Sequence, residues 1–398
     1  MRAGWHGSAP HRRQRWLCRP PNGDPAHRFT EELPRQQAAA SHCSECSSVL
    51  DPWEGQAGAR EYAFSARDIA HALALVANGS SYRRAAEATR VAAQRARGGS
   101  TSGPARRKRQ RDLDGQLVAN WVDVFGPVVC FEHGVGLWPE WLAVDSVEFR
   151  IGGATPRSFY VMVAVGYEPP TYQERVWLMR PFARKNRDAW EDFFDLLPGT
   201  PRRIIADMDS AIEAAVAARF PRPGARAPHY QWSDLHVRRA LDNALAPLHR
   251  QPAAHTVWQR LERAPFSAFD WDGFVRAVRH EHQHGTPLPA ALRWIATHGP
   301  RLRAQASNRP RRGPYSTGAV EAVNQKLATE LIGERANRMG NRARAIKLLD
   351  LLAVGLNGHA NERAFAKAIR IYLEGHGGRP QLTQRPHDDL RGAPSLFT

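Results

Sequence analysis

The order of strand-like and helical segments between residues 141 and 207 constrains the fold of this chain more than any other feature. Three β-like segments come first, at 141–151, 158–168 and 175–182. The stretches that join them are short and rich in turn-forming residues, which predicts an antiparallel meander. A helical pattern then leads into the apolar segment 202-RRIIAD-207, and the connection rules favour a parallel pairing for this fourth strand. The sequence therefore predicts an α/β fold.

The rest of the chain differs in composition from segment to segment. A Pro-, His- and Gln-rich start precedes a helix, Gly turn, helix pattern, and a charged stretch with few apolar residues follows it. We predict a small zinc-binding unit at 1–60, a helix-turn-helix at 61–97, a basic linker at 98–112, an α/β core at 113–370 with an all-helical insertion at about 220–312, and a disordered tail at 371–398.

Charge indicates the kind of partner. Among 398 residues, 56 Lys and Arg stand against 39 Asp and Glu, which gives a net charge of +17. Such an arginine-heavy excess is typical of proteins that bind a polyanion, and nucleic acid is the first candidate. No segment approaches the roughly 20 apolar residues of a membrane span, and the first residues lack an apolar signal segment. We expect a cytoplasmic, nucleoid-associated protein without a membrane partner.

Asp145 places a carboxylate in a row of apolar side chains. Alternation along 141-WLAVDSVEFRI-151 puts it on the same strand face as Val147, Phe149 and Ile151. An ionised carboxylate there is costly unless it is paired or binds a metal. The alternative is a solvated position at the rim of the sheet.

Two aspartates, Asp207 and Asp209, follow the fourth strand. The carboxyl ends of parallel strands are where α/β sheets place their chemistry, although an aspartate there can simply cap a helix. Ser210 and Glu213 match a capping box for the next helix, with Asp209 directly before it. Asp207 is therefore the candidate for chemistry, and Asp209 is a structural residue and a secondary candidate.

Glu321 lies beside the apolar stripe of a predicted helix at 316–333. The helix dipole alone favours a glutamate near a helix start. Together with Asp145 and Asp207, however, it completes a set of three carboxylates that suits two divalent metal ions about 4 Å apart. Carboxylates and water are the ligands that Mg²⁺ prefers. In 234-DLH-236, Asp234 and His236 are further secondary candidates, for which a structural or capping role is the alternative.

Three of the four cysteines lie within the first fifty residues. Cys18, Cys43 and Cys46 give a C-x24-C-x2-C spacing, and His27 could supply a fourth ligand, with His42 as its rival. Thiolates and one imidazole suit tetrahedral Zn²⁺, which would stabilise so small a unit. The sequence therefore predicts a zinc site here.

With these residues identified, the chain resembles bacterial insertion-sequence transposases of the DDE type. The match rests on the LAVD strand ending at Asp145, on I-I-A-D-x-D-x-A-I at 204–212 after a helix with Trp190, and on S-T-G-x-x-E-x-x-N-x-x-L at 316–327. An Arg-rich turn and the helix L-L-x-L-L-x-x-x-L-N follow. The first 60 residues also look like the zinc-ribbon heads that one group of these enzymes places before a helix-turn-helix. The resemblance covers about residues 12 to 365.

The resemblance implies an RNase H-like core whose catalytic residues Asp145, Asp207 and Glu321 hold two Mg²⁺ or Mn²⁺ ions. It also implies cleavage and strand transfer of double-stranded DNA, at element ends and target, by a homo-oligomer bound to DNA. Related families often carry a Cys-x-x-His pair after the second aspartate, and here Ser233 replaces the cysteine while His236 is kept. Basic stretches and the second helix of the helix-turn-helix would bind DNA through Arg83, Arg84, Arg90, Arg311, Arg312, Arg335, Arg338 and Arg342.

Two other function classes fit parts of the same pattern. A DNA-binding protein without catalysis, either a regulator or a decayed transposase, would explain the charge and the helix-turn-helix but not three converging carboxylates. A metal-dependent nuclease or recombinase on the same fold would need the same metal ions and is the closer rival.

Overall fold

The structure is a computed structural model that describes residues 2–6, 13–18, 27–31, 64–95, 113–151, 157–220, 227–249, 251, 255–332 and 341–375. The strands in these ranges are β1 (Arg2–His6), β2 (Arg13–Cys18), β3 (His27–Glu31), β4 (Trp141–Ile151), β5 (Arg157–Glu168), β6 (Gln173–Phe182), β7 (Arg203–Ala206) and β8 (His229–Trp232).

The described residues also form twelve α-helices: α1 (Ala66–Ala77), α2 (Tyr82–Arg95), α3 (Gly115–Cys130), α4 (Arg187–Asp195), α5 (Ser210–Arg219), α6 (Asp234–Ala244), α7 (His255–Arg263), α8 (Ala268–His284), α9 (Pro289–Ser307), α10 (Gly318–Lys326), α11 (Arg342–Leu356) and α12 (Glu362–Gly375). Short 3₁₀ helices span Phe131–His133 and Ala246–Leu248, and a π-helical turn at Leu327–Leu331 continues α10. None of these helices is long and apolar enough to cross a membrane.

Helices α1 and α2 form the predicted helix, turn, helix pair. Ser65 caps α1 through a capping box, because its hydroxyl accepts the N–H of Asp68 while the Asp68 carboxylate accepts the N–H of Ser65. Helix α1 ends at Ala77 with Asn78 as its C-cap, and the next residue, Gly79, has φ +93°, a conformation that glycine adopts without strain. The apolar stripe of α1, which includes Ile69, is fully buried.

Contacts group the helices differently from the predicted domains. Helices α3, α11 and α12 pack with α1 and α2 in one compact group, which also contains β1 to β3. The other compact group contains the five-stranded sheet and α4 to α10. Helix α11 approaches α1 so closely that a Cβ on Gly355 would lie 2.0 Å from the carbonyl oxygen of Ala77. The functional domain limits themselves stay predictions, and most of the predicted linker and tail lies outside the described residues.

The five-stranded sheet has the order β6-β5-β4-β7-β8. Strands β5 and β6 are antiparallel, whereas β4 pairs in parallel with β7, and β7 in parallel with β8. The prediction of a mixed α/β fold, with a parallel fourth strand after a helix, is confirmed. Helices α4 and α5 cover the sheet with an apolar cluster that includes Trp190, Phe193 and Phe194, all fully buried.

Strand β8 was not predicted. Its four residues, HYQW, lie inside the range 220–312, for which the sequence predicted only helices. They carry no apolar run, and the buried Gln231 interrupts any alternation, so only the pairing with β7 makes them a strand. The helices that follow, α6 to α9, are as predicted and enclose a second apolar cluster around Trp271 and Phe274.

Candidate functional site

Backbone register places Asp145 and Asp207 side by side. Strands β4 and β7 pair in parallel from Trp141 with Arg203 to Ala143 with Ile205. The same register, if continued by two residues past the end of β7, would bring Asp145 level with Asp207 at the spacing of neighbouring strands, about 4.8 Å. Residues that are level in parallel strands point to the same face of the sheet. The charge of Asp207 also acts on the carboxyl of Asp145, so the two carboxylates lie near each other just beyond the parallel pairing of β4 with β7.

The electrostatics of Asp145 show that this is a costly place for a charge. Burial and, to a smaller extent, the charge of Asp207 raise the pKa of its carboxyl from 3.8 to about 6, against a hydrogen bond from the Ser146 backbone. Interactions with Lys185 and His236 act in the opposite direction and lower the pKa of Asp145. A carboxyl group with a shifted pKa next to a second carboxylate is an arrangement typical of functional sites.

Lys185 is a part of this cluster that sequence reasoning missed. Its ammonium lies 3.1 Å from Asp209 Oδ2. Burial lowers the pKa of Lys185, but the carboxylates of Asp207, Asp209 and Asp145 more than offset this and raise it above its usual value. Lys185 lies in the loop after β6, and the charged sequence 183-ARKNR-187 gave no signal that singled it out.

Asp209 has the structural role that the sequence predicted for it, but through a different set of capping contacts. Asp209 itself is the N-cap of α5, because its Oδ1 accepts the N–H of Ala211 at 2.8 Å. The predicted capping box is wrong, since Ser210 is the first helical residue and Glu213 instead contacts Arg301. Asp207 also shapes the turn, where its Oδ1 accepts the N–H of Asp209 at 3.0 Å.

Glu321 lies in the first turn of α10, where side chains from α6 hold it. Its Oε1 accepts the hydroxyl of Thr317 at 3.1 Å and lies 3.7 Å from His236 Nδ1. Its Oε2 lies 3.2 Å from a guanidinium nitrogen of Arg239. The carboxylate of Glu321 therefore contacts a hydroxyl, an imidazole and a guanidinium, and it does not lie in a cluster with the two aspartates.

Asn324 links α10 to β4. Its amide nitrogen donates to Asp145 Oδ2 at 3.0 Å, while its buried Oδ1 has no hydrogen-bond partner among the described residues. An unpaired buried oxygen costs free energy, so it marks a position where a donor or a cation would be favourable. Asn324 follows Glu321 by three residues, a spacing that puts both on one helix face. That spacing was visible in the sequence, but the contact with Asp145 was not.

The donor set at this end of the sheet fits a divalent cation. Asp145, Asp207 and the Asn324 oxygen are the hard oxygen ligands that Mg²⁺ and Mn²⁺ take. Within the described ranges, however, no three Asp, Glu, His or Cys side chains lie close enough together to form a metal group. For Glu321 to join the aspartates as a ligand, its carboxylate must leave Thr317 and Arg239.

The secondary candidates take different positions. Asp234 forms an ion pair with Arg309 at 2.6 Å, which is a structural role. His236 bonds the Thr317 hydroxyl at 3.2 Å and thereby stays near Glu321. Ser233 is fully buried, and its hydroxyl accepts the N–H of Thr317.

The predicted DNA-binding and zinc-binding residues are only partly described. Arg83 and Arg84 are exposed on α2, as are Arg311 and Arg312 after α9, whereas Arg90 and Arg342 are half-buried. In the antiparallel register of β2 and β3, Cys18 lies opposite His27. The residues Arg335, Arg338, His42, Cys43 and Cys46 lie outside the described residues.

Comparison with known proteins adds no identification. No model of a known protein family matches the chain, and a search of curated proteins finds no match either.

Proposed function

We propose that this protein is a DDE-type DNA transposase that cleaves and joins DNA strands at the ends of an insertion sequence. The observation that carries the proposal is the proximity of Asp145 and Asp207 just beyond the parallel pairing of β4 with β7, where the charge of Asp207 raises the pKa of Asp145. The strand order β6-β5-β4-β7-β8, with the first helix of the sheet crossing from β6 to β7, supports an RNase H-like core. The net charge of +17 supports a DNA substrate.

In this function, Asp145 and Asp207 would hold the metal ions, together with Glu321 once it leaves Arg239. When bound, two divalent cations supply an activated water or 3′-hydroxyl and stabilise the leaving oxygen of phosphoryl transfer. Asn324 orients the Asp145 carboxylate through its amide, which leaves the second carboxylate oxygen for another partner. Arg239, now paired with Glu321, becomes available to a DNA phosphate when that carboxylate turns away.

A DNA-binding protein without catalysis remains the second candidate, and one observation favours it. Glu321 pairs with Arg239 and not with the aspartates, and a regulator has no need of three joined carboxylates. The helix pair α1 and α2 would serve either function equally.

A strand-cleavage and strand-transfer assay tests the proposal. The full chain is incubated with labelled DNA that carries the element ends, with Mg²⁺, Mn²⁺ or EDTA. We expect cleavage only with a divalent metal. We expect Asp145→Asn, Asp207→Asn and Glu321→Gln each to lower the rate by about a hundredfold or more, because even groups that only orient metal ligands cost about tenfold to a hundredfold.

Asp209→Asn is the matched control, since asparagine caps a helix as well as aspartate does. This variant should keep most of the activity. If the parent protein binds the element ends but cuts with neither metal, the protein is a DNA-binding protein without catalysis. Cutting that survives Asp207→Asn and is lost in Asp209→Asn would show that the two aspartates have been assigned in reverse.

A further inference from the structure

A cavity of about 560 Å³ opens at the amino end of the parallel strands. Trp141, Arg203 and His229 are the first residues of β4, β7 and β8, and the register places them side by side along its floor. The segment after α9, which includes Arg311 and Arg312, also lines the cavity. Asp145 lies four residues further along β4, about 13 Å away at the usual strand rise. The cavity is therefore separate from the carboxylate site.

Arg203 is a buried cation that neutral groups surround. The residue is 7% exposed, and its guanidinium contacts Gln231 Oε1, the carbonyl oxygen of Asn308 at 3.3 Å and the ring face of Trp141. No Asp or Glu of the described residues forms an ion pair with it. Burial, together with the charges of Arg202 and Arg309, lowers the pKa of Arg203, but a guanidinium stays charged at any physiological pH. A positive charge that is buried without a carboxylate partner costs free energy, and a bound anion would offset this cost.

Other side chains that line the cavity also favour a negatively charged ligand. Arg311 and Arg312 are exposed and form no ion pair with the described residues, whereas Arg202 is neutralised by Glu140 at 3.1 Å. The cavity is thus lined by three arginines that no described carboxylate neutralises.

We propose that this cavity is a binding site for a phosphate group, held by Arg203 at its base and by Arg311 and Arg312 at its rim. Planar guanidinium groups bind phosphate oxygens in pairs, which makes arginine the residue of choice for such a ligand. A volume of about 560 Å³ exceeds that of one phosphate and lies within the range of small-molecule sites. The half-buried ring of Tyr172, which also lines the cavity, offers a surface on which a base could stack. The site does not depend on strand cleavage.

Binding of two probes to the full chain in EDTA tests the proposal without involving the metal site. Inorganic pyrophosphate represents a free phosphate compound, and a 12-nucleotide single-stranded DNA represents a backbone phosphate. Each is titrated by calorimetry at constant ionic strength. We expect Arg311→Ala/Arg312→Ala to weaken binding at least about tenfold, at roughly 1 kcal/mol or more per charged hydrogen bond removed. Arg203→Lys, which keeps the charge but loses the planar fork, should also weaken it.

The matched control is Arg276→Ala/Arg279→Ala. It removes two exposed arginines from α8 and lowers the net charge equally, away from the cavity. Binding by the control should equal that of the parent. Tighter binding of pyrophosphate identifies a free phosphate ligand, and tighter binding of the oligonucleotide identifies nucleic acid. The proposal is overturned if neither probe binds, or if the cavity variants and the control lose affinity to the same extent.

Discussion

At the scale of single residues, the sheet separates its charges by strand end. The carboxylates Asp145 and Asp207 lie just beyond the point where the parallel pairing of β4 with β7 ends, while Arg203 lies at the amino end of that pairing without a counter-charge among the described residues. Both ends carry a cost that a neutral residue would avoid. Costs of this kind persist at functional sites, where a ligand removes them.

Asp145→Asn should stabilise the metal-free protein. The folded-state pKa of about 6 exceeds the unfolded value of 3.8, so the folded protein binds a proton more tightly between these pH values. The ionised carboxylate therefore begins to destabilise the fold as pH rises above about 4, and the loss is complete above about 6. In EDTA, urea unfolding should show the variant about 2 kcal/mol more stable than the parent at pH 7.5. At pH 4 the difference should vanish, and a constant difference across this range would contradict the assignment.

Lys185→Met should affect folding and metal binding in opposite directions. Without metal, the variant loses the cation that balances Asp207 and Asp209, and its unfolding free energy should fall by about 1 kcal/mol. With Mg²⁺, the more negative cluster should bind the ion more tightly, so the rise in melting temperature per added Mg²⁺ should be larger than in the parent. Lys185→Arg, which keeps the charge, is the control. If the rise in melting temperature with Mg²⁺ is the same in the variant and the parent, Lys185 does not influence metal binding.

At the scale of elements, local patterns predicted most of the helices and strands, but not what brings the site together. Alternation and short loops were enough to predict strands β4 to β6, and the apolar run before Asp207 was enough to predict β7. Strand β8 escaped prediction because its stability comes from pairing with β7. The contacts of Asn324 with Asp145 and of Arg239 with Glu321 join residues 179 and 82 positions apart. No local pattern encodes such contacts, so the sequence could suggest the three carboxylates but not their partners.

The packing of α11 on α1 gives a prediction at this scale. In Gly355→Ala, the added Cβ would meet the Ala77 carbonyl oxygen, and backbone cannot move aside as a flexible side chain can. We expect the unfolding free energy to fall by about 2 kcal/mol, because overpacking outweighs the roughly 1 kcal/mol that alanine gains in a helix. The control is Gly273→Ala inside α8, where the nearest atom is the side-chain end of Arg260 at 3.4 Å. Thermal unfolding should show a lower melting temperature only for the first variant.

At the scale of the whole molecule, the 56 basic residues, which outnumber 39 acidic ones, would not all be equally available to the proposed DNA partner. Some arginines are already paired, such as Arg187 with Glu191 and Arg303 with Asp272. Others, including Arg83 and Arg84 on α2, are exposed and form no ion pair with any residue that the structure describes. Only unpaired cations release counter-ions from DNA when they bind, so net charge alone overstates the number of phosphates that the protein can neutralise.

The difference between paired and unpaired arginines predicts how the affinity for DNA depends on salt. In Arg83→Ala/Arg84→Ala, the slope of log affinity against log salt should become shallower by about 2, one for each phosphate that the variant no longer neutralises. Arg187→Ala/Arg303→Ala removes the same net charge from paired positions, and its slope should stay within about 0.5 of the parent's, because these groups neutralise carboxylates rather than phosphates. Fluorescence anisotropy with a labelled duplex between 50 and 200 mM salt, roughly the range over which such differences are resolved, measures both slopes. Equal slopes for the two double variants would mean that overall charge, and not the α2 surface, determines binding to DNA.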